Sequence, residues 1–457
     1  MRNLREDYLK EKLENEKKQL EEVINNPNLT AEELWLLTED NFIKWRKKHD
    51  YPKLIKSFNN SLPSFIQWKN EYEITDEIII ECGITECVRP KRLSKNDKFF
   101  YLLEQTFDEK KRLLVSYADL EKVAKPNPEH NESFKLIIKF LSYSDWCESK
   151  KIKSDVFNIG TRQAPESDIE KVWLTSGYEL LKMGGIKPPV NVFGILLRGK
   201  HLEFVNLCGL KLEGTIHFGE EGNLSLSYCA VDNLICINLD MSLMKFESCS
   251  MENIKIIDSN IRQWRFWDSD VTGEIINSKL NVVNVFGGLF NPLFKDTNIL
   301  DVNAEHKGFS ERNFSYTYSI LKKMYSDQGD ETKSTEYLIK EREIYREYSK
   351  GWEYLIKTIS YYYWGYGKKP ERVIYFSILL ILLCSIIYLV PPNNMITPID
   401  KEKTFLDCFY FSTVTYTTLG YGDMSPIGWV RIISSIEAFF GALSLGFIVA
   451  GFSNTKY

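Results

Sequence analysis

Two long apolar stretches near the carboxyl end dominate the pattern of hydrophobic and polar residues. Residues 373–390 carry no charge, and residues 429–452 are apolar apart from Arg431, Glu437 and a few serines. Apolar runs of this length are long enough for tilted membrane-spanning helices. The sequence before residue 370 is too highly charged to cross a bilayer, so the pattern predicts two spans preceded by a large water-exposed region.

A helix start lies between the two spans. Thr404-Phe405-Leu406-Asp407 has the pattern of a capping box, in which the first and fourth residues satisfy each other's backbone N–H groups. We expect a helix of about thirteen residues that ends at Thr417, which at 1.5 Å per residue reaches about halfway through a bilayer. Such a re-entrant helix must be buried in protein, and its C-terminal carbonyls would favour a cation.

A second periodicity runs through the middle of the chain, where every fifth residue from Leu226 is apolar for eleven steps. A second set of positions with the same period of five begins two residues earlier, at Leu224. Two inward positions in every five suit neither an α-helix nor a flat strand, but they suit a squared solenoid. The first register holds Leu226, Val231, Cys236, Met241, Phe246, Met251, Ile256, Ile261, Phe266, Val271 and Ile276, and the second holds Leu224, Cys229, Leu234, Leu239, Met244, Cys249, Ile254, Ser259, Trp264 and Ser269.

This periodic segment resembles the pentapeptide-repeat family, which implies a right-handed quadrilateral β-helix. The likeness is degenerate, because larger residues often stand where that family prefers Ala. A looser copy at Leu202, Leu207 and Leu212 places the start near residue 190, with an interruption at residues 219–222. The alternative is an ordinary β-rich domain with an accidental period.

The remaining regions have weaker patterns. Residues 1–26 predict a charged helix, residues 30–33 form a capping box, and residues 78–80 are β-like within a mixed α/β region. From residue 310 the pattern is helical and is similar to helical hairpins that join pentapeptide repeats to pores. The aromatic run at residues 361–366, next to a basic cluster, predicts a belt at the inner membrane surface, and the alternative is a buried aromatic helix end.

The segment that follows the predicted re-entrant helix reads TTLGYGD at residues 417–423. Carbonyls on successive residues can face one side only where some residues adopt positive φ, and Gly420 and Gly422 allow this without a Cβ clash. The longer stretch FYFSTVTYTTLGYGD closely resembles the pore helix and filter of two-transmembrane potassium channels, and the resemblance covers residues 370–457.

The resemblance implies roles for individual residues. Thr418, Leu419, Gly420, Tyr421 and Gly422 would form the filter, with K⁺ bound at Thr418 to Tyr421, as is established for filters of this family. Asp423 would lie at the outer mouth, and Tyr410 and Phe411 would brace Tyr421. Val414 stands where some members carry a Glu that bonds to this Asp, so the sequence predicts that this brace is missing.

Two further residues lie in the second span. Gly441 falls at or beside the usual gating hinge of the family, and the alternative is a glycine that allows close helix packing. Glu437 is an ionisable group inside a span, which indicates a functional role. We expect Glu437 to hydrogen-bond the back of the pore helix rather than to face the ions.

Composition excludes several classes of protein. A net charge of −5 on a mixed-sign surface argues against a nucleic-acid partner, and nine cysteines without metal-binding spacing argue against zinc. Five histidines form no catalytic constellation, so we predict no enzyme activity and no cofactor apart from K⁺ as the permeant ion. Lys368, Lys369 and Arg372 place the start of the first span in the cytoplasm, and two spans return the carboxyl end to that side.

Together these patterns predict a multidomain membrane protein. Residues 1–189 would form a cytoplasmic region of unknown role, 190–300 a β-helix, 301–369 a helical linker with an interfacial segment, and 370–457 the pore. The predicted function is a homotetrameric potassium channel of a prokaryotic plasma membrane, gated through the cytoplasmic domains by an unknown ligand or protein. The alternative is a membrane-anchored interaction platform with an incidental pore.

Overall fold

The computed structural model describes residues 21–88, 99–105, 112–116, 134–152, 178–189, 197, 199–216, 223–305, 314–390, 396–397 and 403–454. Two compact units divide the chain, Met1–Thr317 and Tyr318–Tyr457. Most of the charged helix predicted at residues 1–26, and the interruption predicted at residues 219–222, lie outside the described residues.

The first unit opens with short helices and a small antiparallel sheet whose strand order is β2-β1-β3. Buried aromatic residues, among them Phe58, Trp68 and Trp146, form its core. The elements are α1 (Ala31–Leu36), α2 (Glu39–His49), α3 (Tyr51–Ser61), α4 (Phe65–Glu71), α5 (Asp76–Cys82), α6 (Ile84–Val88), β1 (Phe99–Gln105), β2 (Arg112–Ser116), β3 (Phe134–Leu141) and α7 (Tyr143–Lys150).

Two sequence predictions concern these helices. The capping box at residues 30–33 is confirmed, because Thr30 and Glu33 each accept a hydrogen bond from the other's backbone N–H. The β-like stretch predicted at residues 78–80 is wrong, since these residues lie inside α5. The Thr75 side chain accepts a hydrogen bond from the Ile78 N–H and caps α5, so a helix start overrides the local β-propensity of three successive isoleucines.

A β-solenoid of about six turns follows, and all its strand pairs are parallel. Arg46 of α2 joins the helices to it, because its guanidinium pairs with Asp50 at 2.7 Å and donates to the carbonyls of Glu203 and Phe204. The strands are β4 (Leu181–Lys182), β5 (His201–Glu203), β6 (Val205–Asn206), β7 (Lys211–Ile216), β8 (Leu224–Ser227), β9 (Ile235–Glu247), β10 (Ser250–Ile257), β11 (Asn260–Trp267), β12 (Asp270–Ile276), β13 (Lys279–Asn281), β14 (Val283–Phe286), β15 (Phe290–Lys295), β16 (Asn298–Ile299) and β17 (Val302–Glu305).

Both predicted registers point into the solenoid. Every member of the second register, and every member of the first from Leu226 to Val271, is at most 3% exposed. The last assignment, Ile276, is wrong, because Ile275 is buried in its place. The cause is a shortened turn: Lys245 pairs with Arg265, twenty residues on, whereas Asn260 pairs with Lys279, nineteen residues on.

The corners of the solenoid follow a periodicity that sequence reasoning missed. Nine residues spaced five apart have positive φ, and each lies two residues after an inward position. Several are Asn or Asp, which tolerate the left-handed region better than most residues. These corner residues are Tyr228, Asn233, Asn238, Leu243, Ser248, Asn253, Asp258, Gln263 and Asp268.

Within its described residues, the second unit contains most of a helical hairpin, followed by four further α-helices. In the hairpin, the rings of Tyr325 and Tyr337 stack at 5.7 Å and Lys322 pairs with Glu341 at 2.7 Å. The elements are α8 (Phe314–Asp327), which begins in the first unit, α9 (Glu331–Glu347), α10 (Gly351–Trp364), a 3₁₀ turn (Gly365–Gly367), α11 (Glu371–Leu389), β18 (Ile396–Thr397), α12 (Phe405–Tyr416), β19 (Ser425–Pro426) and α13 (Val430–Asn454).

Candidate functional site

Two helices of the second unit are long and apolar enough to cross a membrane, namely Glu371–Leu389 in α11 and Val430–Ser453 in α13. In the single chain, only 28% of the first apolar window and 22% of the second are buried. Water-exposed helices of this composition would be strongly unfavourable, because burying apolar surface stabilises by about 25 cal/mol per Å². Lipid or further copies of the chain must therefore cover these surfaces.

The short helix α12 lies between the two spans and begins as predicted. The Thr404 N–H donates to Asp407 Oδ2 at 2.8 Å, and the Asp407 N–H donates to Thr404 Oγ1 at 3.3 Å, which completes the capping box. The helix ends at Tyr416, and Thr417 is its C-cap residue. Its carboxyl end therefore leads directly into the segment that contains the candidate filter.

The backbone of this segment alternates in handedness. Thr418, Gly420 and Gly422 have φ of +57°, +51° and +78°, so the positive φ predicted for the two glycines is present. Thr418 adopts the same conformation, which sequence reasoning missed. Alternating left-handed residues allow successive carbonyls to face one side of the chain, which an ordinary strand does not permit.

The last turn of α12 anchors the start of the segment. The N–H of Leu419 donates to the Val414 carbonyl at 3.1 Å, and the N–H of Thr418 donates to the Thr415 carbonyl at 3.1 Å. Beyond this anchor the segment has few neighbours within its own chain. The Leu419 and Tyr421 side chains are 58% and 66% exposed.

A comparison with known protein families accounts for this arrangement. Residues 375–455, which contain α11, α12 and α13 almost completely, match the model of a family described as ion channel. The carboxyl-terminal segment is an ion-channel domain. We call α11, α12 and α13 of this channel domain its outer, pore and inner helix, and the apolar composition of α11 and α13 fits a membrane location.

Asp423 of the channel domain has a brace that the sequence did not predict. The Tyr410 hydroxyl donates to Asp423 Oδ2 at 2.6 Å, so the pore helix still holds this carboxylate although residue 414 is Val. The Val414 side chain is buried. Phe411 packs against Tyr388 of the outer helix with ring centroids 5.1 Å apart, and its contact with Tyr421 stays a prediction.

Glu437 of the inner helix is buried behind the pore helix. One carboxylate oxygen accepts a hydrogen bond from Ser412 of the pore helix, and the other accepts one from the Tyr388 hydroxyl at 2.6 Å. The predicted hydrogen bond from Glu437 to the pore helix is thus present. The two hydrogen bonds of the Glu437 carboxylate therefore connect all three helices of the channel domain.

A second buried polar cluster lies at the carboxyl end of the pore helix. The Tyr416 hydroxyl is 2.7 Å from Ser377 Oγ of the outer helix and 2.6 Å from Ser444 Oγ of the inner helix. Ser444 is also 2.6 Å from the hydroxyl of Tyr363 in α10. Sequence reasoning missed this cluster, and its only local signal was a serine within each apolar span.

Gly441 lies at a close contact between the inner helix and the carboxyl end of the pore helix. A Cβ placed on Gly441 would lie 1.8 Å from the Tyr416 carbonyl oxygen, so only glycine allows this approach. This geometry favours the packing alternative for Gly441, and a hinge role stays a prediction. By contrast, a Cβ on Gly446 would meet no atom within 4 Å.

Proposed function

We propose that four copies of this chain form a potassium-selective channel. The observation that carries the proposal is the alternation of positive φ at Thr418, Gly420 and Gly422 in a segment anchored to the end of a pore helix. K⁺ would exchange its water for carbonyl oxygens of Thr418 to Tyr421 and pass between adjacent sites by passive conduction. Asp423 would keep the outer mouth negative while Tyr410 holds its carboxylate in place.

We infer a homotetramer from what one chain leaves incomplete. One filter strand offers carbonyls from one side only, whereas replacing the hydration shell of K⁺ takes a ring of them. The exposed Leu419 and Tyr421 side chains and the largely exposed inner helix supply the surfaces that neighbouring copies would cover. Four pore helices would then direct their negative carboxyl ends towards one cation beneath the filter.

The proposed location is the plasma membrane of a prokaryote, with both termini in the cytoplasm. Lys368, Lys369 and Arg372 precede the first span, and positive charge is concentrated on the cytoplasmic side of membrane proteins. The β-solenoid, whose five-residue walls resemble pentapeptide repeats, would then be cytoplasmic. We propose that it and the helices before it regulate the pore in response to a cytoplasmic ligand or protein.

The test is K⁺ flux through purified protein in liposomes under a K⁺ gradient. Gly420→Ala should abolish selective flux, because alanine does not favour the positive φ of this position. Leu419→Val is the matched control, because it keeps a filter carbonyl and changes only the side chain. Equal K⁺ and Na⁺ permeability, or unchanged flux in Gly420→Ala, would refute the channel and favour the interaction platform.

A further inference from the structure

The helix that precedes the first span has one uncovered apolar face. None of the residues of α10 is buried, and its large apolar residues are exposed at spacings of three or four. A helix of this kind lies in the plane of a membrane surface with its apolar face among the lipid chains. The exposed residues of this face are Trp352, Leu355, Ile356, Ile359 and Tyr362, and Tyr354 is exposed on another side of the helix.

Beside α10, a cavity of about 290 Å³ opens against α9. Its lining combines two basic side chains, Arg342 and Lys357, with Ser360, Trp364 and Tyr366. Ile356 lines the cavity and also belongs to the exposed apolar face, so the two features are continuous. The volume lies just below the range for small-molecule sites, about 300 to 1,000 Å³, and suits a headgroup better than a whole lipid.

Of the two basic side chains in the lining, Arg342 is available to a ligand, whereas Lys357 already has an acidic partner. Arg342 is exposed and forms no ion pair within the part of the chain that the structure describes. Lys357 Nζ lies 2.7 Å from Glu353 Oε1 and 2.8 Å from Ser349 Oγ. Between residues 342 and 372 the sequence has seven basic and four acidic residues, so an anion is favoured.

Two buried polar atoms add a further observation, one on Tyr366, which lines the cavity, and one on Arg346 of α9. Arg346 Nε and Tyr366 Oη are buried, and neither has a hydrogen-bond partner among the described residues. Buried polar groups are normally satisfied, so unpartnered ones indicate a missing ligand or water. The Arg346 guanidinium lies 4.6 Å from the ring centroid of Tyr361, and this contact holds the side chain in place.

We propose that this cavity binds the phosphate headgroup of an anionic phospholipid from the inner leaflet. Arg342 contacts the phosphate, Lys357 adds positive charge to the lining, and the acyl chains lie along Ile356 and Ile359. The location in the inner leaflet rests on the proposed function, because it requires α11 to cross the membrane. The bound lipid would fix α10, which contacts the inner helix through Tyr363.

The test is native mass spectrometry of the full-length protein with phosphatidylglycerol or phosphatidylcholine added to the micelles. The wild type should retain phosphatidylglycerol in preference to phosphatidylcholine. Arg342→Gln combined with Lys357→Gln should weaken phosphatidylglycerol binding by about tenfold, since charge-assisted contacts to phosphate are lost. Lys340→Gln is the matched control on the same helix, because Lys340 pairs with Glu336 and does not line the cavity.

A variant that fills the cavity without changing charge makes the test independent of general electrostatics. Ser360→Phe should reduce phosphatidylglycerol binding as the double variant does. Equal loss in Lys340→Gln, no loss in either cavity variant, or displacement of the lipid by millimolar inorganic phosphate would overturn the proposal. K⁺ flux is measured on the same preparations. A wild type that conducts K⁺ but does not retain phosphatidylglycerol refutes this site alone, and a wild type that retains the lipid without K⁺ flux refutes only the channel.

Discussion

The Tyr363 hydroxyl lies 2.6 Å from the Ser444 hydroxyl and so connects α10 to the inner helix. Ser444 is in turn 2.6 Å from Tyr416, the last residue of the pore helix before the filter segment. A displacement of α10 would therefore reach the base of the filter through two hydrogen bonds. No other side-chain hydrogen bond between α10 and the inner helix occurs among the described residues.

Removing one oxygen tests this connection. Tyr363→Phe keeps the ring contacts with Phe376 and Phe447 and loses only the bond to Ser444. We expect a change in single-channel open probability of about threefold or more, because a net hydrogen bond contributes about 1 kcal/mol. Tyr362→Phe, at an exposed neighbouring position, should leave it unchanged. Identical open probability in both variants would contradict the connection.

The close contact at Gly441 gives a stability prediction. Gly441→Ala forces its Cβ against the Tyr416 carbonyl, so the inner and pore helices must separate. We expect a loss of about 2 kcal/mol or more, typical of overpacking, visible as a lower dissociation temperature of the oligomer. Gly446→Ala adds a Cβ in open space and should have little effect. Equal stability of both variants would instead favour the hinge role.

A comparison of two solenoid glycines separates steric clash from backbone strain. Gly273 and Gly214 both have positive φ, +133° and +89°, and both lie at a shift in strand register. A Cβ on Gly273 would lie 2.1 Å from the Ile254 carbonyl oxygen, whereas one on Gly214 meets nothing within 4 Å. Gly273→Ala should lower the free energy of unfolding by about 2 kcal/mol more than Gly214→Ala, measured by denaturant titration.

The buried Lys200 side chain should make the stability of the first unit depend on pH. Its ammonium group donates to the Trp35 carbonyl, and burial lowers the pKa of Lys200 to about 8 despite the nearby carboxylate of Glu39. The unfolded chain keeps this proton up to about pH 10, so it binds more protons than the folded chain between about pH 8 and pH 10. The contribution of Lys200 to stability should therefore rise over that range and be flat below it.

The measurement is hydrogen exchange of α1 at several pH values, corrected for intrinsic exchange rates. Protection in the wild type should increase from pH 8 to pH 10, and Lys200→Met should remove the part of the increase due to Lys200. Lys211→Met, at an exposed position of β7, serves as control and should keep the wild-type profile. A flat profile in the wild type would show that Lys200 does not titrate between these values.

Local patterns explain why much of the solenoid was predictable. Inward positions repeat every five residues because each wall contributes the same two side chains to the core, and this is visible in the sequence. The shortened turn that buries Ile275 in place of Ile276 was not visible, because it depends on how one turn pairs with the next. The helix that contains residues 78–80 was also missed, because its start depends on the hydrogen bond that the Thr75 side chain accepts from the Ile78 N–H.

The candidate filter was readable for a different reason. Its two glycines and its position between two apolar spans fix both backbone conformation and surroundings within one short segment. The sequence did not predict the hydrogen bonds behind the candidate filter, except for the one between Glu437 and the pore helix. Tyr363 and Ser444 are 81 positions apart, and no local pattern pairs a tyrosine with a serine at that separation.

The most direct measurement is the reversal potential of single channels with K⁺ on one side of a planar bilayer and Na⁺ on the other. A filter of carbonyls from Thr418 to Tyr421 predicts a reversal potential displaced strongly towards the K⁺ equilibrium potential. Gly420→Ala should lose either the current or that displacement. A wild-type reversal potential near zero, with equal K⁺ and Na⁺ currents, would contradict the potassium-selective pore.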